Sequence, residues 1–311
     1  MKTADRQTRR YLMELFEKHG FHPRTAFGQN FLIDLNLVDV LVREAELESQ
    51  DVVLEIGTGT GSLTAQLAEV AGRVVTVEVD RNMAGLARAI VDDLPNVTLL
   101  HRDALKNKNN FAPEVLEVLE AELAVAPQRR LKLVANLPYS IATPIVSNLV
   151  ASQLDWRLMV VTIQWELAER MTAKAGTRAY GALSVWLQAQ CHVRTLRRLP
   201  PTVFWPRPRV ESAIVRLKPR SEARAKIADR QFFQDFLRRG FHQRRKHFRG
   251  VLAGMYRREL EKSEIDEEMS SLGLPTGVRA EQLEVSTLVD LANRLYLRLD
   301  GRALENQIHG V

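Results

Sequence analysis

Short hydrophobic runs and longer amphipathic stretches alternate along the first two thirds of the chain. The short runs are rich in β-branched residues and stop at a glycine, an acid or an asparagine, which is typical of buried strands. They predict strands at 52–56, 74–79, 97–100, 131–135 and 158–163. The stretches between them have helical periodicity, clearest at 62–71, 83–92 and 144–152. This alternation favours a parallel sheet that is covered by helices on both faces and binds ligands at the carboxyl ends of its strands.

The pattern changes in the last third of the chain. Two more strand-like runs, at 192–196 and 212–217, are joined by a proline-rich loop and predict a hairpin at the edge of the sheet. Behind Pro219 the remaining patterns are helical, at 232–241, 245–257, 259–272 and 287–299. We therefore predict an α/β chain of two domains. Residues 1–220 form a Rossmann-like domain with a mainly parallel seven-stranded sheet, and residues 221–311 form a smaller all-helical domain.

Charge is spread unevenly along these 311 residues. The chain carries 44 Lys and Arg against 38 Asp and Glu, a net charge of +6. Residues 194–258, called the basic segment below, hold 19 of the basic residues and 4 of the acidic ones, which is +15, so the rest of the chain carries −9. This excess is larger than solubility needs, and we favour a nucleic acid as partner over a merely solvated basic face.

Composition excludes several classes of protein. With 45% hydrophobic residues the chain can build real cores, so disorder is not its dominant state. The single cysteine, Cys191, cannot form an internal disulfide, and the charged N-terminus lacks the apolar region of a secretory signal. The longest uncharged stretch, 133–154, is interrupted by polar residues and prolines and is not expected to span a membrane. We therefore expect a cytoplasmic protein, and we take it to be a monomer.

Residues 55–61, Glu-Ile-Gly-Thr-Gly-Thr-Gly, stand at a strand-to-helix turn, where glycines let the backbone approach a ligand closely. Glu78, at the end of the next strand, is placed to accept hydrogen bonds from both hydroxyls of a ribose. Together these features predict a cofactor that contains a nucleoside. Ser62 occupies the position of the third glycine in the dinucleotide-binding motif, so S-adenosylmethionine is favoured over NAD.

The tetrapeptide Asn136-Leu137-Pro138-Tyr139 follows the fourth predicted strand. An adenine amine is a poor nucleophile because its lone pair is delocalised into the ring, and acceptors for its N–H groups would favour the pyramidal, nucleophilic form. The side-chain oxygen of Asn136 and the carbonyl oxygen of Leu137 are suitable acceptors. Pro138 fixes the backbone that aims them, and Tyr139 supplies a face on which the base stacks. A simple turn beside a core tyrosine is the alternative, but the shared sheet edge with Glu78 favours a site.

Eight short motifs occur in order along the chain, at 27–32, 55–61, 78–80, 102–104, 136–139, 180–181, 200–213 and 243–246. In this order and spacing the chain resembles the small-subunit kind of the ribosomal RNA adenine N6-dimethyltransferase family over nearly its whole length. The resemblance implies a methyltransferase domain that uses S-adenosylmethionine. It further implies that N6 of two adjacent adenosines near the 3′ end of small-subunit ribosomal RNA is methylated twice, in the immature small ribosomal subunit.

The resemblance also assigns roles to single residues. It implies that the cofactor is held by Asn30, Leu32, Gly57, Gly59, Glu78, Asp103 and Asn136. It implies that Asn136, Leu137, Pro138 and Tyr139 are the catalytic loop. It matches Phe204 to an aromatic residue that works with Tyr139 to hold a flipped base, whereas the sequence alone would make Phe204 a hydrophobic anchor for its own loop.

The basic segment is expected to dock the RNA. Phosphate contacts are predicted for Arg207 and Arg209, close in sequence to Phe204. Further contacts are predicted for Arg238, Arg239, Arg244, Arg245, Lys246 and Arg249, of which the Gln243–Lys246 motif supplies three. Contacts of this kind bind and orient the RNA backbone without reading its sequence.

Three positions depart from the family pattern. Thr58 stands where the glycine loop commonly has proline, which leaves the rigidity of that loop open. Ala26 stands where a basic residue is often found, so an RNA contact there is expected to be missing. The segment 107–130 is longer than usual, and its pattern predicts an acidic surface helix.

Three alternative functions remain. A macrolide-resistance enzyme would methylate large-subunit RNA with the same catalytic residues, although the motif at 243–246 resembles the small-subunit kind. An RNA-binding assembly or transcription factor would keep the fold without turnover, which the intact Asn136 and Tyr139 disfavour. A small-molecule methyltransferase would not need the basic segment. The seven histidines and one cysteine have no metal-ligand spacing, so no metal is expected.

Overall fold

The computed structural model describes residues 8–23 and 28–309, with side chains described as far as residue 301. Ala26, and Phe27 at the start of the motif 27–32, lie outside the described residues. Among the described helices, none combines the length and the apolar character needed to cross a lipid bilayer.

The secondary structure alternates between helices and strands as far as residue 164 and becomes mainly helical after residue 219. The first part consists of α1 (Arg9–Lys18), β1 (Phe31–Leu32), α2 (Leu35–Glu44), β2 (Asp51–Ile56), α3 (Ser62–Val70), β3 (Arg73–Glu78), α4 (Arg81–Val91), β4 (Val97–His101), β5 (Leu105–Asn107), β6 (Asn110–Phe111), α5 (Pro113–Ala124), β7 (Arg130–Asn136), α6 (Ala142–Ala151) and β8 (Trp156–Gln164). The second part consists of α7 (Trp165–Thr172), α8 (Ala182–Gln188), β9 (Cys191–Leu199), β10 (Phe204–Trp205), β11 (Ser212–Pro219), α9 (Ser221–Arg224), α10 (Arg230–Gly240), α11 (Phe248–Met255), α12 (Lys262–Ser271) and α13 (Val285–His309).

A seven-stranded sheet in the order β4-β3-β2-β7-β8-β11-β9 is the framework of the first part of the chain. The five strands from β4 to β8 pair in parallel, whereas β11 runs antiparallel to β8. All six residues of β2 are buried, as expected for a parallel strand that helices cover on both faces. The predicted Rossmann-like, mainly parallel seven-stranded sheet is thereby confirmed, and the two late strands are neighbours at one edge.

The chain divides into two compact units. The first comprises residues 1–168 and 194–218, and the second comprises residues 169–193 and 219–311. The chain passes from the first unit to the second for the last time between Lys218 and Pro219, close to the predicted boundary at residue 220. The segment 169–193 differs from the prediction, which placed it in the first domain.

The helix α8 explains this difference, because its apolar face belongs to the core of the second unit. Trp186 of α8 is buried, and its ring lies 6.2 Å from the ring of Phe233 in α10. Tyr180, just before α8, donates from its hydroxyl to the carbonyl oxygen of Leu283 over 2.9 Å. These partners are about 50 to 100 residues away in sequence, so local periodicity could not reveal them.

Several boundaries and short elements differ from the sequence prediction. The helix predicted at 245–257 begins only at Phe248, because a 3-10 turn at Phe241–Gln243 precedes it. The helices α1, α2, α7 and α8 and the two-residue strands β1 and β10 were not predicted. The acidic surface helix predicted within 107–130 is present as α5.

The parallel strands bring distant motifs to one edge of the sheet. Strand β2 ends just before Gly57, β3 ends at Glu78, and β7 ends at Asn136. Because β2 lies between β3 and β7, these three positions become neighbours in space.

Gly72 and Gly85 provide a test of how tightly the first unit is packed. A Cβ atom on Gly72 would overlap the backbone carbonyl of Ser49, whereas a Cβ on Gly85, on the exposed face of α4, would meet nothing within 4 Å. We expect Gly72→Ala to lower the free energy of unfolding by about 1–3 kcal/mol. Gly85→Ala should raise it by about 0.5–1 kcal/mol, because alanine is the better helix former. Urea unfolding measures both, and equal effects would contradict the packing described here.

Candidate active site

A cleft opens at the carboxyl edge of the sheet. It encloses about 690 Å³ when the open solvent at its mouth is counted. Of the residues predicted for the site, the cleft is lined by Asn30, Gly57, Gly59, Glu78, Asp103, Asn136, Leu137, Pro138 and Tyr139. The structure therefore brings together residues from five separate motifs.

The glycine loop of residues 57–61 packs directly against the tetrapeptide 136–139. Gly57 has a φ of 88°, and a Cβ atom on it would lie 3.2 Å from Cδ of Pro138. Gly59 has a φ of 57°, and its Cβ would lie 3.2 Å from Cε1 of Phe31. Both positions require glycine for conformation and for space. The loop and the tetrapeptide therefore touch without an intervening side chain.

Glu78 is held with both carboxylate oxygens facing backbone donors. Its Oε2 accepts from the N–H of Gly59 over 2.9 Å, and its Oε1 accepts from the N–H of Asp80 over 2.9 Å. Burial raises the pKa of Glu78, and these two N–H groups oppose the rise. Each oxygen of a carboxylate has a second lone pair, so Glu78 can still accept from the two hydroxyls of a ribose.

Asn136 is oriented by a hydrogen bond that crosses the cleft wall. Its Nδ2 donates to the carbonyl oxygen of Asn30 over 2.8 Å. The next residue, Leu137, donates its N–H to the carbonyl oxygen of Thr162 on β8 over 3.1 Å. Because the amide nitrogen of Asn136 is used as a donor, the oxygen Oδ1 is the acceptor that this side chain offers to a ligand.

Tyr139 is fixed at the tip of its ring. Its hydroxyl lies 2.5 Å from Oγ of Ser212, the fully buried first residue of β11. Burial raises the pKa of Tyr139, so the phenol stays neutral at physiological pH. The ring lines the cleft with its tip anchored, which suits it to present a flat face to a ligand.

A second buried carboxyl group, Glu55, lies beneath the glycine loop. Its Oε2 accepts from the hydroxyl of Thr64 over 2.5 Å and from the hydroxyl of Thr76 over 2.7 Å. Its Oε1 has no hydrogen-bond partner among the described residues. Burial raises the pKa of Glu55 to about 8, which makes it a protonated, uncharged group at neutral pH.

Leu32 and Phe204 do not line the cleft. They pair with each other in the short ladder between β1 and β10, and both are buried in the hydrophobic core. Phe204 thus occupies the position of a loop anchor in this structure, as the sequence alone suggested. The roles that the resemblance implied for these two residues, toward the cofactor and toward a flipped base, stay predictions.

The cleft contains residues that the sequence analysis did not single out. Phe31 forms part of the wall, and its ring packs on Phe16 of α1 at 5.4 Å. Trp205, which does not itself line the cleft, packs edge-on against Phe16 at 5.1 Å. Phe31 and Trp205 each lie within a recognised motif, but no local pattern predicted that helix α1 would meet them.

Asp103 lies at the exposed end of the cleft wall. Its Oδ1 accepts from the N–H of Leu105 over 2.9 Å, which holds the carboxylate in a local turn. Among the described residues, no group of three or more His, Cys, Asp or Glu side chains is placed to hold a metal ion.

The basic residues fall into two groups when their partners are considered. Arg207 and Arg209 are exposed, as are Arg245 and Lys246, and within the described residues their side chains make no ion pair or hydrogen bond. Arg244 instead pairs with Glu281, and it donates to the carbonyl oxygens of Arg178 and Thr177 over 2.8 and 3.2 Å. Its guanidinium is therefore a structural tie within the second unit, and the RNA contact predicted for it stays a prediction.

Three other arginines that were predicted to contact RNA also have acidic partners. Arg238 and Arg239 both pair with Asp235, and Arg249 pairs with Asp266. Arg239 is held most firmly, because it also donates to the carbonyl oxygen of Met255 and lies over the ring of Tyr256. Much of the charge in the second unit is thus partly neutralised.

A groove runs between α10 and α11 in the second unit. Its lining is Arg238, Arg239, His242, Gln243, Lys246, Gly250, Val251, Gly254 and Met255. Gly250 and Gly254 lie one turn apart on α11, and a Cβ on either would meet nothing within 4 Å. The groove therefore combines basic side chains with exposed helix backbone.

Comparison with known proteins identifies relatives over almost the whole chain. A family model described as ribosomal RNA adenine dimethylase matches residues 20–295. The ribosomal RNA small subunit methyltransferase A of Halothermothrix orenii is 35% identical over 295 residues, covering 94% of this chain and 95% of that protein. The protein of the same name from Pediococcus pentosaceus is 38% identical over 284 residues, covering 91% and 93%.

Two solved structures have a similar fold. A dimethyladenosine transferase from Plasmodium falciparum matches with a TM-score of 0.70 at 23% identity, covering 85% of this chain and 97% of that one. The 23S rRNA methyltransferase ErmE matches with a TM-score of 0.61 at 22% identity, covering 86% and 100%. These likenesses establish a shared methyltransferase fold.

The contact between Tyr139 and Ser212 can be tested by a double-mutant cycle. Tyr139→Phe and Ser212→Ala each remove this hydrogen bond, so each should lower the free energy of unfolding by about 1 kcal/mol. The double variant should lose little more than either single variant. Ser140→Ala, at the exposed neighbouring serine, is the control and should stay within about 0.5 kcal/mol of the parent in urea unfolding. Additive losses would mean that the two hydroxyls do not interact.

The raised pKa of Glu55 predicts how stability depends on pH. Between pH 4.5 and about pH 8 the unfolded chain releases a proton that the folded protein keeps, so the free energy of unfolding falls as the pH rises. The amide of Glu55→Gln does not titrate in this range. The free energy of unfolding of the variant relative to that of the parent should therefore increase from pH 5 to pH 8. Urea midpoints measured across this range give the comparison, and parallel pH profiles would show that Glu55 is ionised in the folded state.

Proposed function

The chain belongs to the ribosomal RNA adenine dimethylase family, and we propose that it transfers methyl groups from S-adenosylmethionine to N6 of adenosines in small-subunit ribosomal RNA. The substrate is a pair of adjacent adenosines near the 3′ end of that RNA, each methylated twice. The observation that carries the proposal is the orientation of Asn136. Its Oδ1 is offered as an acceptor beside the glycine loop and Glu78, so an amine acceptor and a ribose acceptor share one cleft.

The residues of the cleft fit S-adenosylmethionine. Glu78 has lone pairs for both ribose hydroxyls, and Gly57 and Gly59 leave room for the cofactor to approach the backbone. We assign the adenine amine of the cofactor to Asp103, a hydrogen-bond acceptor that lines the exposed wall of the cleft. The cofactor supplies an activated methyl group on a sulfonium, which needs only a correctly placed nucleophile.

The chain's own contribution is to hold and activate that nucleophile. Asn136 Oδ1 and the carbonyl oxygen of Leu137 accept hydrogen bonds from the substrate amine, which favours the form whose lone pair points at the methyl group. Tyr139 stacks on the purine, and Ser212 keeps its ring in place. A strong general base is unnecessary, because the amine proton becomes acidic as the new bond to carbon forms.

The target adenosine has to leave its stack to reach the cleft. Unstacking costs about a few kcal/mol and is least costly where the nucleotide is already unpaired. After one transfer the nitrogen still has an N–H for one of the two acceptors, so the same geometry serves the second transfer.

RNA docking is assigned to exposed basic residues in each unit. Arg207 and Arg209 follow Phe204 in the first unit, and Arg245 and Lys246 are exposed in the second. The groove between α10 and α11 adds exposed backbone, which a phosphodiester chain can approach closely. Contacts to phosphate position the RNA without reading bases, so the choice of adenosine depends on RNA shape within the immature subunit.

A large-subunit RNA enzyme is the second candidate, because ErmE shares the fold. ErmE is only 22% identical, whereas the relatives at 35 and 38% identity carry a small-subunit name over more than nine tenths of the chain. We therefore assign the small-subunit RNA.

The function is tested by methylation of immature small subunits with labelled S-adenosylmethionine, followed by mapping of the labelled nucleotides. Two adjacent dimethylated adenosines near the 3′ end are expected, and label in large-subunit RNA alone would refute the assignment.

Asn136→Ala should reduce the transfer rate by about 10²–10³, the usual cost of losing one electrostatic contact to the reacting group. Ser140→Ala serves as the matched control. Retained turnover in Asn136→Ala would place activation of the amine elsewhere.

Charge removal separates docking residues from structural ones. Arg245→Gln and Lys246→Gln should each weaken RNA binding and lower the slope of log affinity against log salt by about 1. Arg244→Gln should instead lower the stability of the protein, because it breaks the tie to Glu281 and two carbonyl groups. Binding of S-adenosylhomocysteine should not change in the first two variants. An unchanged salt slope in both would remove them from the docking surface.

A further inference from the structure

The glycine loop contains a buried threonine whose side chain points away from solvent. Thr58 is 4% exposed, and its Oγ1 lies 2.6 Å from Oγ1 of Thr76 on β3. Thr76 in turn lies 2.7 Å from Oε2 of Glu55 on β2, and Thr64 in the first turn of α3 lies 2.5 Å from the same oxygen. Three hydroxyls and one carboxyl group thus form a continuous chain, called the hydroxyl relay below.

The direction of the hydrogen bonds in the hydroxyl relay is set by Glu55, whose Oε2 accepts from Thr76 at one end of the relay. Each threonine hydroxyl has a single proton. Thr76 donates its proton to Glu55, so at its contact with Thr58 it can only accept. Thr58 is therefore the donor in that pair.

The backbone around Thr58 has little rigidity of its own. Gly57 and Gly59, on either side, both have positive φ, and glycine is the residue with the widest choice of conformations. The buried side chain of Thr58 therefore anchors a stretch of backbone that has a glycine on each side. Its carbonyl oxygen also accepts from the N–H of Gly61 over 2.9 Å, which closes the turn into α3.

The position of Thr58 determines where the N–H of Gly59 lies, and this N–H contacts the carboxylate assigned to the cofactor. The next residue, Gly59, donates its N–H to Oε2 of Glu78, and that bond orients the carboxylate assigned to the ribose. A shift of Thr58 would carry Gly59 with it and turn Glu78. The hydroxyl relay is thus connected to the cofactor through one peptide unit.

We propose that Thr58 is a positioning residue that fixes the cofactor loop through the hydroxyl relay. The relay ties the loop to β2, β3 and α3, the three elements that surround it. This inference rests on the proposed function only in that the loop holds S-adenosylmethionine.

The test is calorimetric binding of S-adenosylhomocysteine to the full chain without RNA. Thr58→Val keeps the shape of the side chain and deletes its hydroxyl, and it should weaken binding about fivefold, the usual effect of one lost hydrogen bond. Thr58→Ser restores the hydroxyl and should bind within twofold of the parent. Thr98→Val, which removes a hydroxyl that accepts from Arg73 on the neighbouring strand, is the control and should bind like the parent.

A second readout does not depend on any ligand. Amide hydrogen exchange at Gly59 and Gly61 should be faster in Thr58→Val than in the parent or in Thr58→Ser, because the loop loses its anchor. Thr76→Val should reproduce the loss of affinity, and adding it to Thr58→Val should cause little further loss.

The outcomes separate this inference from the proposed function. If the parent protein does not bind S-adenosylhomocysteine, the proposed function is wrong. If the parent binds and Thr58→Val binds equally well with unchanged exchange, only the hydroxyl relay is refuted. Equal weakening by Thr58→Ser and Thr58→Val would also refute it, because the effect would then not come from the hydroxyl.

Discussion

The contact between the glycine loop and Pro138 is the constraint on which the rest of the site depends. No side chain fits between Gly57 and the proline ring, so the loop that is assigned to the cofactor and the tetrapeptide that is assigned to the substrate amine lie against each other. Everything else in the cleft maintains this arrangement. Asn30 holds the amide of Asn136, Ser212 holds the ring of Tyr139, and backbone donors hold Glu78. An enzyme without covalent catalysis works by such positioning, and here it is built into contacts within the chain itself.

Sequence analysis could predict those parts of the structure that local pattern encodes. The continuous apolar runs of the parallel strands, the helices between them and the polar residues at the strand ends all follow from hydrophobic periodicity and from the turn residues. Parallel strands then require that the glycine loop, Glu78 and Asn136 share one edge. This is why nine of the predicted site residues line one cleft.

The parts that local pattern could not predict are those set by distant partners. Helix α8 belongs to the second unit because of Phe233, about 50 residues later in the chain. Arg244 looks like any exposed arginine in a basic run, but its guanidinium is used by Glu281 and by two carbonyl oxygens. Leu32 and Phe204 are buried against each other across about 170 residues of chain. In each case the type of residue was recognised, and the missing information was the identity of its neighbour.

The order of the strands has one more consequence, for mechanical coupling. Strands β2 and β7 are hydrogen-bonded neighbours, with Leu54 opposite Leu133. The two reactant loops therefore begin about 4.8 Å apart, the spacing of a single ladder, and no hinge lies between them. We expect bending of the sheet to displace both loops together, which keeps the distance between methyl donor and acceptor steadier than the position of either loop. Substitutions on the outer helices should accordingly change RNA binding much more than the rate of the methyl-transfer step.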